Sequence, residues 1–199
     1  MSGGEVVRYT ALDGVEVALD ARTVCEYLVG GDVTLDDKDA SYIIGVCRSR
    51  GLNPMAGDCS VWVQSGRPII NISKDYWVRT ARKLGASWRA GVAVARATDG
   101  DGGVELAYRD GCIVGAHEKL VGGWAEVAVP GCDVPFRYEA SFTEYDTGKS
   151  LWATKPATMI RKVALVSALR EAMPAEFGGG YDAAEFDGAP EELMTDGMD

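Results

Sequence analysis

Apolar and polar residues alternate through "EVVRYTALDGVEVALD" (residues 5–20) and pause at Asp13-Gly14, the pattern of two half-buried strands joined by a tight turn. In "DARTVCEYLVGG" the pattern changes to that of a short helix, with Asp20 placed to cap it and Gly30-Gly31 to end it. "TLDDKDASYIIGVCRSRGLNP" predicts a longer helix with acids in its first turn, Arg48 and Arg50 in its last, and Gly51 and Pro54 as stops. Two short strands about Ser65-Gly66 follow in "CSVWVQSGRPIINI". A helix from the cap Ser73 to the terminator Gly85 comes next in "SKDYWVRTARKLG". From Ser87 onward the alternation of Val, Ala and Trp, punctuated by glycine pairs, predicts a run of strands in a twisted antiparallel sheet. "SLWATKPATMIRKVALVSALR" (residues 150–170) is then apolar almost all round, so as a helix it must be buried on most faces. These elements predict an α+β fold. A single domain, residues 1–187, has an antiparallel sheet packed with helices, and an acidic flexible tail occupies residues 188–199.

A chain of 199 residues is long enough for a substantial core. No apolar run reaches the ~18 residues of a membrane span. The start "MSGGEVVRYT" lacks an apolar signal core, so a cytoplasmic protein is expected. Five widely spaced cysteines with no CxxC pair suggest reduced thiols rather than a zinc ribbon or a disulfide framework. A net charge of −10 would ordinarily exclude nucleic acid as a partner, but its distribution changes that picture. Between Arg67 and Arg96 stand seven cations and one acid, and between Lys149 and Arg170 five cations and none. A solvated helix would interleave Glu with Lys, so two such islands in an acidic chain point to an outside anion.

Three stretches imitate catalytic motifs. "DTGKS" (146–150) carries the end of a phosphate-loop signature, yet Thr143 stands where its earlier glycine is required. "DGDGG" (99–103) spaces two acids as a calcium loop does but lacks the remaining ligands, so a hairpin tip is expected. The acids of "DDKD" (36–39) have a local reason to stand in a helix's first turn. His117 is the only histidine, which precludes a multi-histidine metal site. With no catalytic constellation and no metal set, a binding protein is favoured over an enzyme. A metal-dependent nuclease using scattered acids is the less favoured alternative.

The candidate contacts are therefore cations. Lys155 and Lys162, seven residues apart, fall on one side of the predicted 150–170 helix and Arg161 on another flank, with Lys149 before it and Arg170 at its end. On so apolar a helix they must line a groove, reach the surface on their long stems, or pair with acids elsewhere. The other island interleaves Tyr76, Trp77 and Trp88 with Lys74, Arg79, Arg82, Lys83 and Arg89. Single-stranded nucleic acid requires cations for phosphates and rings for bases, so Tyr76, Trp77 and Trp152 are candidate base contacts, with burial in the core as the favoured alternative for Trp77 and Trp88.

The stretch "SLWATKPATMIRKVALVSALREAMPAEFGGGYD" (150–182) resembles the signature of the RecT/Bet phage recombinases in its frame of Trp152, Pro156, Met159, Lys162, Ala164, Arg170, Phe177, Gly179 and Tyr181. "CRSRGLNPMAGDCSVWV", "RPIINISKDYWVRTAR" and "LVGGWAEV" resemble earlier family segments in the same order, so the likeness covers roughly Ala40 to Phe186. The resemblance implies the annealase core. It also implies single-strand DNA binding and annealing without ATP, with no cofactor and with Mg²⁺ at most a modulator. The expected partners are single-stranded DNA, the annealed duplex intermediate, other copies of the chain in rings or filaments, a host single-strand-binding protein and a phage exonuclease. The expected setting is a bacterial host carrying a phage or prophage. By position Lys162 and Arg170 match basic positions of the family, Arg79 matches one of its Redβ-like branch, and Arg161 matches one in some members. Ala157 and Thr158 depart from the basic residues that follow the motif proline in one branch, where Lys155 stands in for the charge. A single-strand-binding protein that protects without annealing is the other alternative.

Overall fold

In the computed structural model, which describes residues 5–29, 35–98 and 103–177, the first alternating segment forms the hairpin β1 (Val7–Thr10) and β2 (Glu16–Leu19). Asp13 Oδ1 accepts from Val15 N at 2.9 Å and Gly14 takes a φ of +88°, a conformation glycine adopts without strain. Asp20 caps α1 (Ala21–Thr23) by accepting from Thr23 N at 2.7 Å, and the chain then widens into a π-helical turn over Val24–Leu28. Helix α2 (Asp37–Arg50) begins at Asp36, whose side chain accepts from Asp39 N, and ends at Gly51 in the left-handed region, as expected. Strands β3 (Cys59–Gln64) and β4 (Arg67–Ile72) pair about Ser65 and Gly66, both at positive φ, as a two-residue hairpin turn requires.

The described residues group into two compact units, one reaching to Tyr76 and one starting at Trp77. In the first unit Leu19, Val24, Ile43, Cys47, Leu52, Val61 and Ile72 close a core. Tyr9 and Tyr76 donate from their hydroxyls to the carbonyls of Leu52 and Arg50, each at 2.7 Å. Burial, with Cys47, Cys59 and Asp58 beside it, pushes the Tyr9 phenol well above its ordinary range. Cys47 Sγ and Cys59 Sγ lie 3.8 Å apart, and all five cysteines are free thiols.

Helix α3 (Lys74–Lys83) carries the chain into the second unit; Ser73 caps it by accepting from Tyr76 N at 3.2 Å, and Gly85 follows it at a φ of +80°. Four strands then form one antiparallel sheet in the order β6 (Val104–Asp110), β5 (Ser87–Ala97), β7 (Glu118–Ala128), β8 (Phe136–Ser141). Short helices α4 (Phe142–Tyr145) and α5 (Ser150–Thr154) lead to α6 (Pro156–Ala172) and α7 (Pro174–Phe177). Helix α6 packs on β7, β8 and β5. Its seat is made by Gly123, where a Cβ would stand 2.4 Å from the Ile160 carbonyl oxygen. The architecture is α+β, antiparallel sheets packed with helices.

One prediction is corrected: residues 150–170 do not form one helix. Pro156 has no N–H to donate and disfavours helical φ and ψ at the residue before it. Lys155 accordingly leaves the helix at φ −136° and ψ 50°, and α5 and α6 are separate. Lys155 and Lys162 therefore do not share one helix. The predicted helix end at Gly30-Gly31, most of the "DGDGG" tip, Gly179, Tyr181 and the tail at 188–199 lie outside the described residues.

Candidate nucleic-acid interface

Helix α3 turns its apolar side inward and its cations outward. Trp77 and Ala81 are fully buried, whereas Arg79, Arg82 and Lys83, at three- and four-residue spacing, share the exposed face. From α3 the chain turns at Gly85 directly into β5, and the Arg82 guanidinium lies 5.1 Å from the ring centroid of Trp88. Val92 pairs with Gly123, the glycine under α6, so alternation puts Trp88, Ala90 and Val92 on the sheet face that α6 covers. At the rim of that helix Arg161 donates from Nε to the Ala90 carbonyl at 3.2 Å. One cation from each basic island is thus anchored on β5 at residues two apart, about 6–7 Å along one strand.

The other predicted cations are placed as follows. Lys149 and Lys155 are exposed on either side of α5. Among the described residues no carboxylate pairs with Lys149, Lys155, Arg82 or Arg161. Arg170 is half-buried with a guanidinium nitrogen 3.3 Å from Ser167 Oγ, and Lys74, in the first unit, lies 3.3 Å from Asp75. Lys162 is a correction: at 4% exposure, with Nζ itself buried, it does not present its charge to a ligand outside.

The aromatic candidates are corrected as well. Tyr76, Trp77 and Trp152 are all within 3% of full burial, and Trp77 packs edge-on against Phe177 with centroids 4.8 Å apart. A ring enclosed in the core has no face to offer a base. Trp88, which stands in the same island but was not among the candidate base contacts, is half-buried beside Arg82 rather than enclosed in the core. Its position two residues after Ala86, at the start of a strand leaving a cationic helix, was the available signal.

Part of the first island is neutralised within the fold. Arg89 pairs with Asp110 at 2.9 Å and Arg96 with Glu105 at 2.7 Å, because β6 lies alongside β5. Arg109 makes a bidentate bridge to Glu118, which also accepts from Gly115 N at 2.9 Å; these bonds hold the Glu118 carboxyl below the usual range. On the face away from α6, Trp124 lies under Arg89 and Arg137, with guanidinium-to-centroid distances of 5.8 and 5.0 Å. Tyr108 on β6 donates to Glu139 on β8 at 2.9 Å, across the face of the sheet. Among the described residues no three His, Cys, Asp or Glu side chains are grouped to hold a metal ion, and no helix is long and apolar enough to cross a membrane.

The second unit thus brings cations from both basic islands to one strand of an antiparallel sheet backed by a buried helix. The model of the RecT family matches residues 23–196, and the chain belongs to that family. RecT proteins anneal DNA strands in phage-type recombination. The chain is also 30% identical over 142 residues to a curated protein of Ureaplasma parvum serovar 3 described as uncharacterized. That match covers 68% of this chain and 54% of the relative, so the chain spans about half the length of the curated relative it matches.

Proposed function

We propose that the chain binds single-stranded DNA and anneals it to a complementary strand without ATP, in assemblies of several copies. Phosphates of the strand lie along the β5 rim, neutralised by Arg82 and Arg161 and extended by Arg79, Lys83, Lys149 and Lys155. The observation that carries this reading is the anchoring of Arg82 and Arg161 at Trp88 and Ala90 of the same strand. Annealing makes and breaks no covalent bond. Holding one strand extended, with base edges free, lowers the ordering cost of pairing, and phosphate contacts carry no sequence information. Neither a nucleotide nor a metal is required; Mg²⁺ at most modulates the electrostatics. The cytoplasm of a bacterial host carrying a phage or prophage, with a host single-strand-binding protein and a phage exonuclease as partners, suits that role.

The test pairs dye-labelled complementary oligonucleotides in the absence of nucleotide and measures strand binding across a salt series. The parent is expected to accelerate pairing. Arg82→Ala combined with Arg161→Ala should weaken binding of mixed-sequence strands and flatten log K against log salt by about 0.7 for each phosphate that is no longer neutralised. Unchanged affinity at every salt concentration, in a variant whose circular dichroism matches the parent, sinks the site. Binding without faster pairing leaves a protective single-strand-binding protein in its place.

A further inference from the structure

Among the described residues, both outer strands of the second unit's sheet have an open edge: β6 pairs only with β5, and β8 only with β7. The direction of each backbone group follows from one bond: Gly111 N donates to Ala90 O at 3.1 Å. By two-residue alternation the β5–β6 ladder then runs through Arg109, Ala107 and Glu105, and Val104, Leu106, Tyr108 and Asp110 point their N–H and C=O away from the sheet. Carried across β5 and β7 in the same way, the alternation leaves Arg137, Glu139 and Ser141 pointing outward from β8. Natural edges are blunted by charged side chains, lysine above all, by proline or by a bulge. The β6 sequence "VELAYRD" has no lysine or proline, its outward residues Val104, Leu106, Tyr108 and Asp110 include one charge, its register with β5 is unbroken, and Val104 and Leu106 are 73% and 51% exposed.

We infer that β8 of one copy pairs with β6 of the next, continuing the sheet from chain to chain. Every strand is antiparallel to its neighbour and there are four, so the two outer strands run in opposite directions. A β8 edge laid against a β6 edge is therefore antiparallel again. The outward residues of both strands lie on the Trp124 face, since Glu139 pairs with Trp124 and Tyr108 with Ala93, so α6 stays on one side throughout. In the register that sets Asp110 opposite Arg137 of the next copy, Tyr108 meets Glu139 and Leu106 meets Ser141. That register opposes no like charges and sets one unlike pair, Asp110 and Arg137, whose partners within each copy are Arg89 for the first and Glu126 and Glu139 for the second. Such a contact is head-to-tail, and it repeats rather than closing on itself as a twofold contact would.

The inference rests on the reading that copies assemble, and the experiment separates the two. Leu106→Cys protein mixed with Ser141→Cys protein under mild oxidation should give a 106–141 disulfide between copies, seen by peptide mass and absent from the parent. Leu106→Pro removes only an outward N–H, so the β5 ladder is kept. Its light-scattering mass with bound strand, less the mass of the strand itself, should fall to that of one chain, 21.2 kDa. If Leu106→Pro assembles as the parent does and no 106–141 disulfide forms, the edge contact is wrong while assembly stands. A cross-link joining two copies of residue 106 in a closed dimer overturns the head-to-tail arrangement. A parent that stays a single copy with and without strand removes assembly and the edge contact together. Should Leu106→Pro lose its circular dichroism, the cross-link decides alone.

Discussion

Glu118 sits where the chain re-enters the sheet after crossing β5, and Arg109 clamps its carboxylate while Gly115 N donates to it. Because these bonds favour the charged form, the folded-state pKa lies below the unfolded one. The stabilisation is then complete above the unfolded carboxyl's pKa and is lost as pH falls through the folded value. Parent and Glu118→Gln should therefore differ most in Tm near neutral pH, and the gap should close as pH is lowered through the carboxylate range. A gap that stays constant down to about pH 3 contradicts that account. Residue identity alone did not disclose such differences. Arg161 and Lys162 are neighbours of like charge, yet one reaches the Ala90 carbonyl at the rim and the other is enclosed. Which way each points depends on how α6 is rotated on Gly123, and charge pattern carries no information about that contact.

Elements whose ends are written in local chemistry were legible in the sequence. Asp20 and Ser73 cap helices through the bonds their positions suggested, and Ser65-Gly66 turns β3 into β4. The break at Pro156 was equally local but was overridden by the apolar continuity on either side of it. Strand order was not legible, since periodicity states that a segment is a strand and not which strand lies beside it. Hence Arg89 and Arg96 read as acid-free until β6 brought Asp110 and Glu105 across from them. The glycine pair at 122–123 looked like punctuation but lies inside β7, where it lets a helix and a strand approach. Gly123→Ala should cost about 1–3 kcal/mol of unfolding free energy, because neither the Ile160 carbonyl nor the β7 backbone is free to yield. Gly45→Ala, in α2 with nothing within 4 Å of the added methyl, should instead stabilise by about 0.4–1 kcal/mol. Urea unfolding of both variants checks the pair; equal costs would mean that α6 does not rest on Gly123.

Across the whole molecule, the residues that carried the family likeness are chiefly those that build the core. Trp152, Met159, Ala164 and Phe177 are enclosed, so the signature reports the fold more than the contact with DNA. The contact surface has to be found from exposure, and here the five tryptophans supply a direct measurement. Trp62, Trp77, Trp124 and Trp152 are each at most 5% exposed, whereas Trp88 is half-buried beside Arg82. A strand laid along the β5 rim changes the surroundings of Trp88 and leaves four enclosed indoles as they were. Indole emission should thus fall partially and saturably as single-stranded DNA is added, and the change should vanish in Trp88→Phe. Urea, which exposes all the remaining tryptophans, should still shift the emission of that variant to the red. If Trp88→Phe keeps the full strand-induced change, the strand lies elsewhere on the protein, and an enclosed tryptophan is being moved by a rearrangement of its core.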